Sequence, residues 1–344
     1  MEKLRIGLFG AQASNKGLGI QTWEFFRHIK PAKTVVIDIS DLNGMPVFPE
    51  RFPGAVVHKG LPTMELIDEF LKDLDLVFTC ETPYDWELGY YLFHTARKLG
   101  IKTVLAPNWE FSDYHQRPNL PKPDLFALPS MWHWEEFPYA NKTFLPVPVD
   151  KTRIEARQIT EARIFLHIAG KPANQDRNGT RIVIEAARLI PWAQFIIRIQ
   201  DRGYIKSDIP ANVQIIEENV DNYWDMYKTG DVLVMPRRYG GLCLPVNEAL
   251  AAGMPVIMPN IDPNNRWLPE DWLVPAKNIG EITDRTPIDV MSATPYDLAQ
   301  KIYEFATDKN FGFQSIKASR IADEISWRAM KPRYLKVFSD LCRS

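Results

Sequence analysis

Short apolar runs alternate with helix-periodic stretches along the whole chain. In the first half, apolar runs predict strands at residues 4–9, 34–39, 76–80 and 101–106, and helical spacing predicts helices at 20–29, 63–71 and 86–99. In the second half, strands are predicted at 164–168, 195–199, 213–216, 231–236 and 254–259, with helices at 180–189, 244–253 and 295–306. Strands that alternate with helices are typical of parallel sheets covered by helices. The pattern therefore predicts an α/β fold.

Length and proline content divide this pattern in two. A chain of 344 residues is long enough for two α/β domains, each with its own core. The prolines within residues 144–150 favour an extended connection, and a new strand follows it. We therefore predict a first domain over residues 1–147 and a second that begins at residue 148.

Composition narrows the functional classes. The net charge of −2 gives no overall attraction to nucleic acid or to an anionic membrane. No apolar run reaches membrane-spanning length and no signal peptide is recognised, so we expect a cytoplasmic protein without a membrane span. The three scattered cysteines have neither disulfide nor metal spacing. Asp73 and Asp75 form an Asp-x-Asp pair, but the pair precedes a predicted strand, which favours a structural role, and we predict no metal site.

The most informative stretch covers residues 231–259, which follow a strand, loop, helix, strand order. A glycine-bearing loop leads into the helix, and such a helix start offers backbone N–H groups and a positive dipole end to an anion. Glu248 lies about one turn inside the helix, where it could accept hydrogen bonds from a sugar diol. The stretch therefore predicts a nucleotide-diphosphate site, and the alternative is an ordinary buried βαβ unit. The loop residues of this candidate site are Arg237, Arg238, Gly240, Gly241 and Leu242.

The same stretch carries a family resemblance. Gly-Gly-Leu-Cys-Leu-Pro-Val-Asn-Glu-Ala-Leu-Ala-Ala-Gly-Met-Pro-Val-Ile, at residues 240–257, resembles the donor-site signature of retaining GT-B glycosyltransferases of the family-4, or group 1, type. That signature normally holds two glutamates eight residues apart. Glu248 matches the second, and Gly240 stands where the first would contact the donor sugar. One charged hydrogen bond is worth about 1.5–3 kcal/mol, whereas enzymes lower barriers by at least about 8 kcal/mol. We therefore expect an altered donor choice rather than a loss of activity.

The resemblance implies an architecture and a reaction. It implies two Rossmann-like domains with a cleft between them, an acceptor-binding domain at 1–147, a nucleotide-sugar-binding domain at 148–325, and a C-terminal helix at 326–344 that packs back on the first domain. It also implies transfer of a sugar, with retention of configuration, from a nucleotide-diphosphate sugar, UDP-linked, to an acceptor hydroxyl. The cations and amides at the diphosphate would stabilise the leaving group, so that no metal and no further cofactor is expected.

Further donor contacts are implied by the same resemblance. Gly17 and Gly19 would approach the diphosphate and the reacting carbon. Lys171 and Arg177 would clamp the diphosphate, with Asn178 in the place of the family's lysine, and they are also candidate catalytic groups. The turn at Asn219 and Val220 would hold the nucleobase. A solvated surface loop is the alternative interpretation of residues 169–179.

The candidate acceptor residues are aromatic or ionisable. Residues 108–139 are rich in aromatic residues and proline, and their rings could stack on a sugar or on an unstacked base. A packed, irregular surface is the alternative interpretation. The candidate acceptor-binding residues are Glu81, Trp109, Glu110, His115 and Trp132, of which Glu110 is also a candidate catalytic group.

Three functional hypotheses follow. The first is a glycosyltransferase that acts on a glycan or small-molecule hydroxyl. The second is a phage-type member, active in the host cytoplasm, that glycosylates hydroxymethylated bases of DNA after base flipping. The excess of acidic over basic residues in 1–147 argues against the second, because DNA-binding surfaces are basic. The third is a degenerate transferase that binds a nucleotide sugar without turnover, since Gly240 and Asn178 replace family residues.

Overall fold

The computed structural model describes residues 4–14, 16–81, 86–112, 119, 121–170, 176–200, 203–205, 208–218 and 222–344. The chain divides into two compact units. Unit 1 comprises Met1–Val147 with Arg328–Ser344, and unit 2 comprises Pro148–Trp327. Among the described residues, no helix is both long and apolar enough to cross a membrane.

Unit 1 is built on a parallel sheet. Its strands are β1 (Ile6–Gln12), β2 (Lys33–Asp38), β3 (Val56–Lys59), β4 (Leu76–Cys80), β5 (Lys102–Ala106), β6 (Leu125–Leu128) and β7 (Lys142–Phe144). Its helices include α1 (Gly17–Ile29), α2 (Ser40–Asn43), α3 (Met64–Leu71) and α4 (Trp86–Lys98). The strands lie in the order β3-β2-β1-β4-β5-β6-β7. The sheet is doubly wound because the chain crosses from one side of β1 to the other between β3 and β4.

Unit 2 repeats this topology. Its strands are β8 (Ile164–Gly170), β9 (Gln194–Ile199), β10 (Val213–Ile216), β11 (Val232–Val234), β12 (Val256–Pro259) and β13 (Leu273–Val274), and its helices include α5 (Thr180–Leu189), α6 (Leu244–Ala251), α7 (Pro295–Thr307) and α8 (Phe311–Glu324). The sheet order is β10-β9-β8-β11-β12-β13, and all pairs are parallel. Two sheets with this order confirm the predicted pair of Rossmann-like domains.

Burial explains why these segments form strands. β4 is buried at all five positions, and β11 at all three, as expected for strands covered on both faces. The helices beside them are amphipathic. On α5, for example, Ile182, Val183 and Ala186 are buried while Glu185 and Arg188 face solvent. The alternation of buried strand and one-sided helix is the pattern that the sequence displays.

The C-terminal helix belongs to the core of unit 1. It is α9 (Trp327–Arg343), and Arg328 onward is counted with the first sheet. Phe25 of α1 stacks on Phe78 of β4 at 4.2 Å, and Phe338 packs on Phe78 at 5.7 Å. The Tyr334 hydroxyl donates to the carbonyl of Pro146 at 3.2 Å. The last helix therefore fills an aromatic layer that the first 147 residues would leave exposed.

Residues 261–284 contain strands that the apolar runs of the sequence do not indicate. The segment contains β13 and β14 (Ala276–Thr283), and β14 pairs antiparallel with β15 (Pro287–Ala293). The sequence signal is weak because almost every residue of β14 is exposed, so that apolar and polar positions do not alternate. The buried side of the hairpin comes from β15, through Ile288 and Val290.

Candidate donor site in unit 2

Two loops meet where the strand order of unit 2 reverses, between β8 and β11. The Asn178 side-chain amide donates to the carbonyl of Ala169, at the end of β8, over 2.7 Å. The backbone N–H of Arg238, in the loop after β11, donates to the carbonyl of Arg177 over 2.8 Å. In open α/β sheets, ligands bind outside the carboxyl ends of the strands at this reversal. The structure thus brings Arg177 beside the predicted loop that carries Arg237, Arg238, Gly240, Gly241 and Leu242.

Close packing joins these loops at Gly179. This residue has a φ of +73°, and a Cβ on it would overlap the carbonyl oxygen of Pro236. Such a left-handed conformation and close approach require glycine. Gly179 therefore fixes the separation of the two loops.

The starts of α5 and α6 differ. The Asp176 carboxylate accepts from the backbone N–H groups of Thr180 and Arg181, at 2.9 Å each, and so caps α5 from within the chain. The first residue before α6 is Cys243, which makes no side-chain capping bond, and Pro245 lies in the first turn. An uncapped helix start, with its positive dipole end, is the better anion site of the two.

His167 is a buried residue that links the elements around the site. Its Nδ1 lies 2.7 Å from the carbonyl of Val234, and its Nε2 lies 3.0 Å from the Thr180 hydroxyl. A carbonyl only accepts, so Nδ1 carries the proton and Nε2 accepts from the hydroxyl. Burial lowers the pKa of His167, which keeps the ring neutral. The imidazole thereby ties β8, β11 and the start of α5 together.

Two guanidinium groups converge on Gly240. A Cβ built on this residue would overlap Nη2 of both Arg177 and Arg237, and its φ is +112°. Arg237 is 8% exposed. Its Nε donates to the carbonyl of Tyr239 at 2.9 Å and its Nη1 donates to the carbonyl of Leu242. Arg177 lies over the Tyr239 ring, 5.0 Å from the centroid. The missing side chain at Gly240 is what leaves room for both cations.

Glu248 is held by two tyrosines. Its Oε2 accepts from the Tyr223 hydroxyl at 2.9 Å and from the Tyr227 hydroxyl. Both tyrosines come from the 3₁₀ helix Tyr223–Lys228. Burial, and after it the charge of Glu248, raise the pKa of both tyrosines well above the usual value, so both remain donors. The carboxylate is therefore fixed in direction, about one helical turn from the start of α6.

Four predicted site residues lie outside the described part of the chain. They are Lys171, Asn219, Val220 and His115. Their assignments stay predictions.

The predicted residues of unit 1 gather at the ends of β4 and β5. Glu81 follows β4 with a φ of +71°, a strained conformation of the kind that clusters at functional sites. Its carboxylate accepts from the backbone N–H of Asn108 at 3.2 Å and from the Asn108 side chain. Glu110 is buried in the same short segment. Trp109 stacks on His133 at 4.4 Å, and Trp132 contacts the same ring at 4.7 Å.

Two glycines and two aspartates complete the sequence-predicted positions. Gly17 is the first residue of α1. A Cβ on Gly19 would overlap the carbonyl oxygen of Ser14, so this turn also needs glycine.

Asp75 accepts from the N–H of Arg5, and Asp73 pairs with the Arg5 guanidinium at 3.7 Å. The Asp-x-Asp pair thus lies at the amino end of β4, opposite the edge that carries Glu81.

This chain is similar to known proteins in part of its sequence and in its fold. Residues 205–284 match the family model of the glycosyl transferases group 1. HepE from Anabaena, solved in complex with UDP, superposes with a TM-score of 0.72 at 11% identity, over 98% of this chain and 100% of HepE. The chain therefore has the GT-B fold, and the match to the group 1 family model covers residues 205–284. The predicted fold and the resemblance are thereby confirmed.

Other GT-B structures agree over the full length. A glycosyltransferase from Rickettsia africae gives a TM-score of 0.71 at 12% identity, with 99% of each chain covered. Sucrose-phosphate synthase from Thermosynechococcus elongatus gives 0.67 at 14% identity, with 98% of this chain and 99% of that chain covered. A comparison with curated proteins gave no match.

Sequence reasoning missed several residues of this candidate site. Asp176, His167, Tyr223 and Tyr227 each bind a predicted site element, yet none belongs to the quoted signature. The two tyrosines are four residues apart on one short 3₁₀ helix, and both hydroxyls donate to the same carboxylate oxygen. That spacing was the available signal, but nothing local links it to Glu248, which is 21 residues away from Tyr227.

Proposed function

We propose that this protein is a glycosyltransferase that moves a sugar from a UDP-linked nucleotide sugar to an acceptor hydroxyl. One observation carries the proposal: an oriented buried carboxylate, an uncapped helix start and arginines from two joined loops lie together at the topological reversal of unit 2. The structural neighbour HepE is described in complexes with UDP and with UDP-glucose, which supports the same ligand class here.

The proposed binding mode follows the chemistry of each group. Glu248 accepts hydrogen bonds from the ribose diol, because two tyrosines hold its carboxylate in place. The start of α6, with the amides of Gly240 to Leu242, faces the diphosphate. Asn219 and Val220 hold the base.

The reaction breaks the bond between the anomeric carbon and the diphosphate oxygen and forms one to the acceptor oxygen, with release of the acceptor proton. Negative charge grows on the leaving diphosphate, so cations and amides aimed at it stabilise the transition state more than the ground state. Lys171, Arg177, Arg237 and Arg238 supply this charge, and the mechanism we propose uses no metal ion and retains the anomeric configuration.

The acceptor is assigned to the aromatic end of unit 1. Glu81 and Glu110 offer carboxylate oxygens to hydroxyl groups, Trp109 and Trp132 offer ring faces, and His115 is a further polar contact. A glycan or small-molecule hydroxyl is the proposed acceptor. The second candidate is a hydroxymethylated base of DNA taken out of the helix, because aromatic side chains such as Trp109 can stack on an extruded base.

The test is mass spectrometry of donor and acceptor panels. Wild-type protein is incubated with UDP-sugars alone, with sugar acceptors, and with hydroxymethylated DNA. We expect slow donor hydrolysis without acceptor and a glycosylated product with one acceptor class. Glu248→Gln should lower both donor hydrolysis and product formation. Arg188→Gln should lower neither; Arg188 is a residue of α5 that pairs with Glu185 and Asp208. Binding of UDP without any turnover would instead identify a degenerate transferase, and the absence of binding to any nucleotide would refute the proposal.

A further inference from the structure

The two guanidinium groups at Gly240 form a cationic cradle. Nη2 of Arg177 and Nη2 of Arg237 both reach the volume that a side chain at position 240 would occupy. Within the described part of the chain, no hydrogen-bond partner is found for Nη2 of Arg237, although its Nε and Nη1 are both bonded to loop carbonyls. A nearly buried arginine whose Nη2 lies beside a second guanidinium group is a binding feature rather than a solvated charge.

The cradle also brings two like charges together. Unit charges about 4 Å apart repel by about 4 kcal/mol at an effective dielectric constant of about 20. An anion between the groups reverses this effect and can use two parallel N–H donors. A guanidinium carries donors only, and an ionised carboxylate carries acceptors only, so the two are complementary. A neutral hydroxyl would match the cradle less well.

The position of the cradle identifies the part of the donor that reaches it. Glu248 lies four residues inside α6, or about 6 Å along the helix axis from its start. Gly240 lies four residues before that start, on the other side of it along the chain. A nucleotide sugar is a linear series of ribose, diphosphate and sugar. With the ribose at Glu248 and the diphosphate at the start of α6, the next group along is the sugar, at Gly240.

We infer that the transferred sugar carries a carboxylate, as in a hexuronic acid, and that Arg177 and Arg237 bind this group. This inference rests on the proposed function, because it takes the ribose and diphosphate positions from it. It adds a role to Arg177 and Arg237 beyond the diphosphate. Gly240 is a specificity-determining residue, since any side chain there would occupy the cradle.

The test compares matched donors by titration calorimetry. UDP, UDP-glucose and UDP-glucuronic acid are titrated into wild-type protein, Arg177→Gln and the control Arg188→Gln. We expect UDP-glucuronic acid to bind wild type at least about tenfold more tightly than UDP-glucose, as for a charged hydrogen bond. The ratio should fall towards one in Arg177→Gln, and stay unchanged in Arg188→Gln. Raised salt should lower the ratio only slightly, because Arg237 is nearly buried.

The outcomes separate this inference from the proposed function. If UDP binds but the two donors bind equally, or the neutral one binds better, the inference is overturned and the proposed function stands. If Arg177→Gln weakens UDP as much as UDP-glucuronic acid, the cradle serves the diphosphate and the inference again fails. If UDP and both donors fail to bind a protein that melts cooperatively, both proposals fall. Melting curves of each variant exclude misfolding as the cause of a lost ratio.

Discussion

Replacing Tyr227 with Phe tests whether the two tyrosines orient Glu248 for a ligand. Tyr227 is 1% exposed and Glu248 is 3% exposed, so the hydrogen bond between them is formed away from water. The variant removes one hydroxyl and keeps the ring that packs in the core. Tyr223 remains as a donor to the same carboxylate oxygen, at 2.9 Å. The perturbation is therefore confined to one charged hydrogen bond.

The expected magnitude follows from that bond. A hydrogen bond to a charged group contributes about 1.5–3 kcal/mol. Part of this appears as lost stability, because the buried carboxylate loses a donor, and part as weaker nucleotide binding, because Glu248 is less well directed. We expect the Kd for UDP to rise by about tenfold, since 1.4 kcal/mol corresponds to about a factor of ten.

The assay is titration calorimetry with UDP, together with urea unfolding of the same samples. Tyr303→Phe is the matched control, because that tyrosine is 50% exposed on α7 and lies outside the candidate site. Glu248→Gln should weaken UDP binding while keeping an acceptor for the tyrosines. Glu248→Ala should in addition lower the free energy of unfolding, since each unpaired buried hydroxyl costs about 1–3 kcal/mol. An unchanged Kd in Tyr227→Phe, with a normal unfolding curve, would refute the idea that these tyrosines prepare Glu248 for ribose.

Three further predictions concern the scaffold. Gly179→Ala should destabilise unit 2 by about 1–3 kcal/mol from the strained φ alone, and by more because its Cβ would overlap Pro236. Urea unfolding measures this loss. Gly203→Ala, which has a similar φ but open space at Cβ, is the control for strain. His167 has a lowered pKa in the folded protein, so it contributes stability above its unfolded pKa of about 6.5, and this contribution is lost as the pH falls below that value. The difference in unfolding free energy between pH 7.5 and pH 5.5 should therefore be smaller in His167→Gln than in wild type. A difference as large as that of wild type would contradict this. Burial raises the pKa of the Cys80 thiol to about 12, so mass spectrometry should find Cys80 unlabelled by iodoacetamide at pH 8 until urea unfolds the protein.

Local sequence determined much of the fold. Buried strands such as β4 and β11 are continuous apolar runs, and helices such as α5 have one apolar face, so both can be recognised within a window of about ten residues. The alternation of the two implies parallel sheets, and the strand orders agree with that expectation. The hairpin of β14 and β15 was missed because its exposed strand has no apolar alternation to display.

The candidate site was determined only in part by sequence. Glycines and arginines near α6 could be selected because a helix start after a glycine loop binds anions for reasons that are local. Which side chains surround them could not be selected, because those contacts join distant positions: Tyr227 to Glu248, His167 to Val234, and Asp176 to the start of α5. From the sequence alone, Gly240 was interpreted as the loss of the contact that the family's first glutamate makes with the donor sugar. Only the tertiary structure shows that Arg177 and Arg237, which are 60 positions apart in the sequence, fill the space that its missing side chain leaves. Backbone patterns act over a few residues, whereas the chemistry of a site depends on the distances that folding sets between remote side chains.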